Sequence, residues 1–176
     1  MKYIIFFWLL VFPFLGFSQH KNSTASTHTH SNSNYRVAVL IGHTLIKAKG
    51  TDQQIFIPSW GLDLEYWVNH RWGIGLHNDI EIESFVIINQ NNEEIERVNP
   101  LVLTLDGLWH FNNGLILSAG PGLEIANSQT YSLFRVGVEY EKDIGGGFDI
   151  APTFFYDHRF DGFSTWSLAL GVGKRF

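Results

Sequence analysis

The sequence predicts an all-β protein, an eight-stranded antiparallel up-and-down transmembrane β-barrel. From Tyr35 to Phe176 the chain runs in about eight segments of roughly 10 residues, in each of which apolar residues alternate with polar or small ones. Tight turns and somewhat longer loops separate these segments in alternation, and no helical periodicity appears among them. One face of the segments gathers the acids and most of the glycines, while the other is almost unbroken Leu, Ile, Val, Phe, Tyr and Trp. Successive side chains of a strand point to opposite sides, so each run presents one face of each kind.

At 176 residues the chain suffices for one domain built on a single closed sheet. A formal charge of -5, with 12 Lys and Arg against 17 Asp and Glu, gives no general attraction to nucleic acid, which is set aside as a partner. The 15 Phe, 6 Trp and 6 Tyr, with 17 Gly, suit aromatic girdles and close strand packing, although a soluble β-sandwich shares such enrichment. There is no Cys, which removes disulfides, thiolate nucleophiles, Cys-based zinc sites and a lipoprotein anchor together. Mean hydropathy near zero is compatible with a membrane barrel, because alternation averages each strand's hydropathy away.

Residues 1–18 have the layout of a secretory signal peptide: Lys2, the apolar run Tyr3 to Leu15, then Gly16-Phe17-Ser18 with small residues at the first and third places. The apolar run is shorter than the roughly 20 residues of a spanning helix, and Pro13 interrupts it. Export with cleavage after Ser18 is expected. Residues 19–34 are Ser, Thr, Asn and His with almost nothing apolar, a disordered tail that cannot bury enough surface to fold alone. His20, His28 and His30 invite a metal reading, yet no carboxylate or Cys completes a site, and a solvated linker is preferred. Residues 35–176 form the barrel domain.

The first run, Arg36 to Ile46, sets Val37, Val39, Ile41 and Leu45 against Ala38, Gly42 and Thr44, and Lys47 to Gln54 is a polar loop. Pro58 to Val86 reads as a hairpin around Asn69-His70-Arg71. Its first arm opposes Trp60, Leu62, Leu64 and Tyr66 to Gly61, Asp63, Glu65 and Trp67. Its second opposes Ile74, Leu76, Ile80 and Ile82, broken by Asn78, to Gly75, His77, Asp79, Glu81 and Glu83. Asn89 to Asn99 is a charged loop that Pro100 stops from continuing as a helix. Leu101, Leu103, Leu105 and Trp109 then oppose Val102, Thr104, Asp106 and His110, up to the strong turn signal Asn112-Asn113-Gly114.

In the fifth run Pro121 sits on the apolar side, where a closed barrel has no free edge for it, and it predicts a bulge. After the turn Asn127 to Thr130, Phe134, Val136, Val138 and Tyr140 oppose Arg135, Gly137, Glu139 and Glu141, and Asp143 to Gly147 turns the chain. The seventh run opposes Phe148, Ile150, Phe154 and Tyr156 to Asp149, Ala151, Thr153 and Asp157, again with a proline, Pro152, on the apolar side. Arg159 to Gly162 is a loop, and the last run, Thr165 to Phe176, opposes Trp166, Leu168, Leu170 and Val172 to Ser167, Ala169, Gly171 and Gly173.

Alternation alone does not say which face is inside, since a soluble barrel buries its apolar face and a membrane barrel its polar one. An eight-stranded lumen is sized for modest side chains, and the many Trp and Phe rings turned inward overfill it. The apolar face is therefore placed outward in lipid, with Trp60, Tyr66, Trp72, Trp109, Tyr131, Tyr140, Phe148, Tyr156 and Trp166 near run ends as girdles. A side-chain-filled interior of this size predicts no open pore.

The C-terminal Leu168-Ala169-Leu170-Gly171-Val172-Gly173-Lys174-Arg175-Phe176 resembles the terminal strand of bacterial outer-membrane β-barrels, and Phe17-Ser18-Gln19 is similar to leader ends of exported Bacteroidota proteins. Gly42-His43-Thr44, Pro58-Ser59-Trp60-Gly61-Leu62-Asp63, Gly75-Leu76-His77-Asn78-Asp79-Ile80-Glu81 and Gly120-Pro121-Gly122-Leu123-Glu124 resemble an uncharacterised Bacteroidota group of small barrels. The resemblance implies the outer membrane of a Gram-negative bacterium, with outer-membrane lipid around the barrel and the barrel-assembly machinery reading the strand that ends at Phe176. It implies no reaction. A monomer is expected.

The candidate site is a lumen ion-pair network of Asp63, His77, Asp79, Glu81, Asp106, His110, Glu124, Arg135, Glu139 and Asp157. Register counted from the Asn69 turn sets Asp63 across from His77, and register from the Asn127 turn sets Glu124 across from Arg135, where opposite charges pair. A structural network is preferred to catalysis, because unpaired charge in a packed interior is costly. No catalytic residue, metal or cofactor is assigned; His77, Asp79 and Glu81, two apart on one face, are a weaker metal option.

Some eight-stranded outer-membrane barrels act on lipid A, including a deacylase with a His-x-Ser arrangement and a supporting acid. Here His158-Arg159-Phe160 lacks the serine at the matching place, and Ser164 stands too far along the chain to substitute. Glu93, Glu94, Glu96 and Arg97 read as a solvated face of the longest loop. The expected function is a structural or interaction role for an integral outer-membrane barrel. The alternatives are a lipid-acting outer-membrane hydrolase and a soluble periplasmic ligand-binding barrel of lipocalin type.

Overall fold

Alternating runs make strands because a pleated backbone sends neighbouring side chains to opposite sides and lets each face meet its own surroundings. The computed structural model describes residues 34–47, 54–88, 94–127, 129–160 and 163–176. The leader and the tail through residue 33, with His20, His28 and His30, lie outside them.

The strands are β1 (Tyr35–Lys47), β2 (Gln54–Trp67), β3 (Trp72–Glu81), β4 (Phe85–Ile88), β5 (Glu94–Arg97), β6 (Leu101–His110), β7 (Leu115–Ile125), β8 (Thr130–Tyr140), β9 (Lys142–Gly145), β10 (Phe148–Arg159) and β11 (Ser164–Arg175). The sheet runs β11-β1-β2-β3-β6-β7-β8-β10, and a further β11–β10 pairing closes it into an antiparallel eight-strand barrel. Short β9 prolongs β8 past Glu141: Asp149 lies opposite Asp143 in the register that puts Thr153 opposite Glu139.

Both described termini and the tight turns lie at one end, here the turn end, where the Phe176 N–H donates to the Tyr35 carbonyl at 2.9 Å. Asn69 Oδ1 accepts from the N–H groups of Arg71 and Trp72 at 2.8 and 3.0 Å, so the predicted asparagine turn forms. The β9–β10 turn takes Gly145, Gly146 and Gly147 at φ of 95°, 66° and 78°, a left-handed succession that only glycine adopts cheaply. The β1–β2, β3–β6, β7–β8 and β10–β11 connections lie at the opposite loop end.

The apolar face points out. Leu62, Leu76 and Leu168 are 39%, 38% and 59% exposed, whereas Asp63, Glu81 and Glu124 are 2%, 2% and 0% exposed. Trp72 stacks on Trp109 and Trp109 on Phe111 at the turn end, with ring centroids 5.2 and 5.1 Å apart, and Phe154 and Tyr156 flank Trp166 higher up. Tyr131 departs from the expected girdle: it shares the odd-numbered face of Arg135 and is buried inside.

Three further expectations are corrected. The charged loop Asn89 to Asn99 holds β5, which pairs with β4 in a separate two-stranded sheet. Ile95 and Arg97 alternate there with Glu94 and Glu96, and Phe85 and Ile95 pack on Ile46, Ile57 and Phe163, which gives the short hairpin an apolar underside. Pro121 makes no bulge: the β6 ladder skips Leu105 and Asp106 and resumes in the same register, so a missing donor has removed a rung without inserting a residue. Arg159 belongs to β10 and is buried, since it continues the inward odd-numbered series of that strand.

Candidate functional site

The inward faces fill the barrel with charge arranged in clusters along its length. Among the described residues Asp63, Glu65, Glu81, Asp106, Glu124, Glu139, Asp149 and Asp157 are buried with Arg36, Arg97, Arg135 and Arg159. Such groups are tolerated in a packed interior only when paired.

At the turn end Arg36 of β1 is the hub. Its guanidinium meets Glu65, its register partner on β2, and lies 2.8 Å from Glu139 of β8, 2.7 Å from Asp149 of β10 and 3.1 Å from Glu141. Trp67 Nε1 donates to the other Glu65 oxygen at 2.8 Å. Gly173 makes the approach possible, since a Cβ there would stand 2.5 Å from Asp149 Oδ1 and 2.6 Å from Arg36 Nε. Glu65, Glu139 and Glu141 bring ligand oxygens within 4.8 Å of one another, a spacing that suits a metal ion. Arg36 stands among them and already supplies the cation. Burial pushes the Glu141 carboxyl, just past the end of β8, above its ordinary value, against the pull of Arg36 and Arg175.

Near the middle, Arg135 grips Asp157, its register partner on β10, at 2.7 and 2.9 Å, and reaches Asp79 at 2.6 Å while its guanidinium lies 4.5 Å over the Phe155 ring. Asp63 lies across from His77, as the Asn69 register predicts. His77 Nδ1 also comes within 2.8 Å of Asp106 Oδ2, which accepts from Thr104 Oγ1 at 2.9 Å. His110 is half-buried at the turn end, where Nδ1 donates to the His70 carbonyl at 3.2 Å and the ring meets Trp67 edge-on.

The predicted Glu124–Arg135 pair does not form. The β7–β8 turn sets Glu124 opposite Tyr131 and Arg135 opposite Gly120, four residues from the expected register, because Ala126 N–H bonds to the Gln129 carbonyl and closes a tighter turn. Glu124 instead accepts from Arg97 through one oxygen and from Arg159 through the other. Arg97 Nη1 donates to the Gln129 carbonyl and Arg159 Nη1 to Thr165 Oγ1, each at 3.0 Å. The two guanidinium groups lie 4.7 Å over Tyr131 and 4.4 Å over Phe163. Glu81 lies within electrostatic reach of Arg159 and Glu124.

Arg97, expected in solvent, is thus fully buried, and it is the chief residue that sequence reasoning missed, with Arg36 and Arg159; Glu65 and Asp149 fall on the inward face as expected but were left out of the network. The signal was present in the alternation Glu94-Ile95-Glu96-Arg97, which puts Arg97 on the side of Ile95. His77, Asp79 and Glu81 are not gathered as a ligand set: His77 turns to Asp106 and Asp79 to Arg135.

The distance argument against Ser164 also fails. The β10–β11 hairpin sets His158 opposite Ser164, and Nδ1 and Oγ stand 3.1 Å apart on the exposed outer face, with Phe160 edge-on to the imidazole.

A closed antiparallel barrel of eight strands, apolar outside and packed with paired charge inside, has the architecture of the small outer-membrane β-barrels. No family model matches the chain, and no curated protein matches it in sequence. Solved structures match in fold. Neisserial surface protein A aligns at a TM-score of 0.59 and 12% identity over 82% of this chain and 98% of its own. Ail, the attachment invasion locus protein of Yersinia pestis, in complex with the heparin analogue sucrose octasulfate, aligns at 0.55 and 16% over 81% and 97%. The N-terminal β-barrel domain of Pseudomonas aeruginosa OprF aligns at 0.55 and 15% over 82% and 98%.

Proposed function

We propose that this chain is an integral outer-membrane barrel of a Gram-negative bacterium, exported by its first 18 residues, with a sealed lumen and a structural or interaction role. The observation that carries the reading is the inversion of the faces: leucines and tryptophans ring the outside while arginine–carboxylate pairs fill the inside. In water such an exterior is an aggregation surface; in lipid it is the stable arrangement. Outer-membrane lipid is the immediate partner, the barrel acts as a monomer, and the strand ending at Phe176 serves recognition by the assembly machinery. Membrane fractionation and gel migration with and without boiling test this reading. A heat-modifiable band in the outer-membrane fraction is expected, and a soluble periplasmic protein overturns it. Planar-bilayer recording tests the seal, with no stable conductance steps expected.

A second reading, a hydrolase acting on lipid, is favoured by one observation, the His158–Ser164 hydrogen bond on the outer face. Hydroxyl and imidazole at that distance are the elements of nucleophilic ester cleavage. Fatty-acid release from outer-membrane lipid vesicles, lost in Ser164→Ala, supports it, and release that is absent or unchanged in that variant removes it.

A further inference from the structure

We propose that the β4–β5 hairpin is a hinged cap on the loop end of the lumen, latched by Arg97 on Glu124 and able to lift while the barrel beneath stays shut. Each barrel strand is paired on both sides, but β4 and β5 form a sheet of their own, and among the described residues no ladder ties them to the barrel. Among the contacts that hold the hairpin down are the apolar packing of Phe85 and Ile95 in the cluster of Ile46, Ile57 and Phe163, and the bond of Arg97 to Glu124. Below the hairpin the chain is pinned: Glu81 N–H donates to the Pro100 carbonyl at 3.1 Å and Ile82 N–H to the Pro58 carbonyl at 3.0 Å. Between pin and strand Asn99 takes φ 42°, the one left-handed residue other than glycine among those described. Residues 83–84 and 98–99 are therefore the hinge.

The charge arrangement lets the latch open with Glu124 still paired. When Arg97 leaves, Glu124 keeps Arg159, and Arg159 keeps Thr165. Arg97 itself moves into water, where a guanidinium costs nothing to hold. No other buried arginine among those described is so placed, since Arg36, Arg135 and Arg159 stand on barrel strands. Under the cap, Arg135 with Asp79, Asp157 and Phe155 remains in place as a second seal. Lifting therefore opens a shallow vestibule floored by Ser59, Glu81, Glu124 and Arg159, and not a pore.

The absence of Cys makes the test clean. Ser59→Cys reports the vestibule and Thr153→Cys the interior below Phe155; both are buried. Each is placed in the full chain, refolded into lipid vesicles, checked for heat-modifiable migration and treated with a charged methanethiosulfonate reagent. Ser59→Cys is expected to react slowly, and about tenfold or more faster once Arg97→Ala removes the charged hydrogen bond, with Thr153→Cys inert throughout. Where Arg97→Ala does not refold, Arg97→Gln takes its place. Ser59→Cys inert in both backgrounds makes the hairpin a fixed part of the barrel and overturns the proposal. Thr153→Cys gaining reactivity with it means that the whole barrel has loosened, and overturns it equally.

Discussion

At the turn end of the lumen one guanidinium, Arg36, is shared by Glu65, Glu139, Glu141 and Asp149; at the loop end one carboxylate, Glu124, is shared by Arg97 and Arg159. The first cluster is centred on a cation supplied by a barrel strand and closed around by its neighbours. The second is centred on an anion, and one of its two cations arrives on a hairpin outside the barrel sheet. Apart from Arg175, which reaches Glu141 from the partly exposed end of β11, the turn end has no second arginine to replace Arg36. The loop end has one. The contrast indicates that stability is concentrated at the turn end and freedom of movement at the loop end.

The largest effect is therefore expected at Arg36. Arg36→Leu leaves Glu65, Glu139 and Asp149 without an arginine, Glu141 alone keeping Arg175, and loss of one member of a buried pair already costs about 3–5 kcal/mol. Urea titration read by gel mobility is expected to show a folded band at much lower urea than the parent, or none. Next comes the outer face, where Leu76→Arg near mid-strand is expected to cost about 2–4 kcal/mol and Tyr35→Arg at the rim about 0–1. Equal costs at the two positions are inconsistent with a lipid-facing belt.

Arg97→Ala is expected to be milder than Arg36→Leu, about 1–3 kcal/mol, because Glu124 retains Arg159. The same urea series tests the ranking. If the two arginine variants unfold at the same urea concentration, the ends are energetically equivalent and the comparison fails.

Much of this was legible in the sequence. Alternation gave the strands, and the inward odd series of β10, from Asp149 to Asp157, follows from its period of two. The Asp63–His77 register followed from the Asn69 turn, whose asparagine holds the two N–H groups that define it. Glu124 was misassigned because the turn beyond Ile125 is tighter than its polar residues indicate, and register errors of this kind carry every partner with them. Arg36 with Glu139 and Arg135 with Asp79 were out of reach for another reason: their strands are not neighbours, so only closure of the barrel brings them together. Arg97 was hidden by composition, since two glutamates and an arginine beside a polar stretch look solvated until the apolar partners Ile95 and Phe85 are paired.

The smallest expected effect lies at Asn99, and it separates hinge from barrel. A left-handed φ costs an ordinary L-residue about 1–2 kcal/mol, while asparagine tolerates it and glycine adopts it freely. Asn99→Ala is therefore expected to strain the segment below β5 and weaken seating of Arg97, by about 1 kcal/mol, while Asn99→Gly leaves the seated state intact. Since the residue lies outside the barrel ladder, neither change is expected to move the urea midpoint of the barrel by more than a few tenths of a kcal/mol. The readout that should move is local. Hydrogen exchange of peptides covering 85–88 and 94–97 is expected to quicken in Asn99→Ala and stay near the parent rate in Asn99→Gly, with β8 and β10 unchanged in both. Exchange that quickens across β8 and β10 as well ties the hinge to the barrel fold and removes the mechanical independence of the loop end.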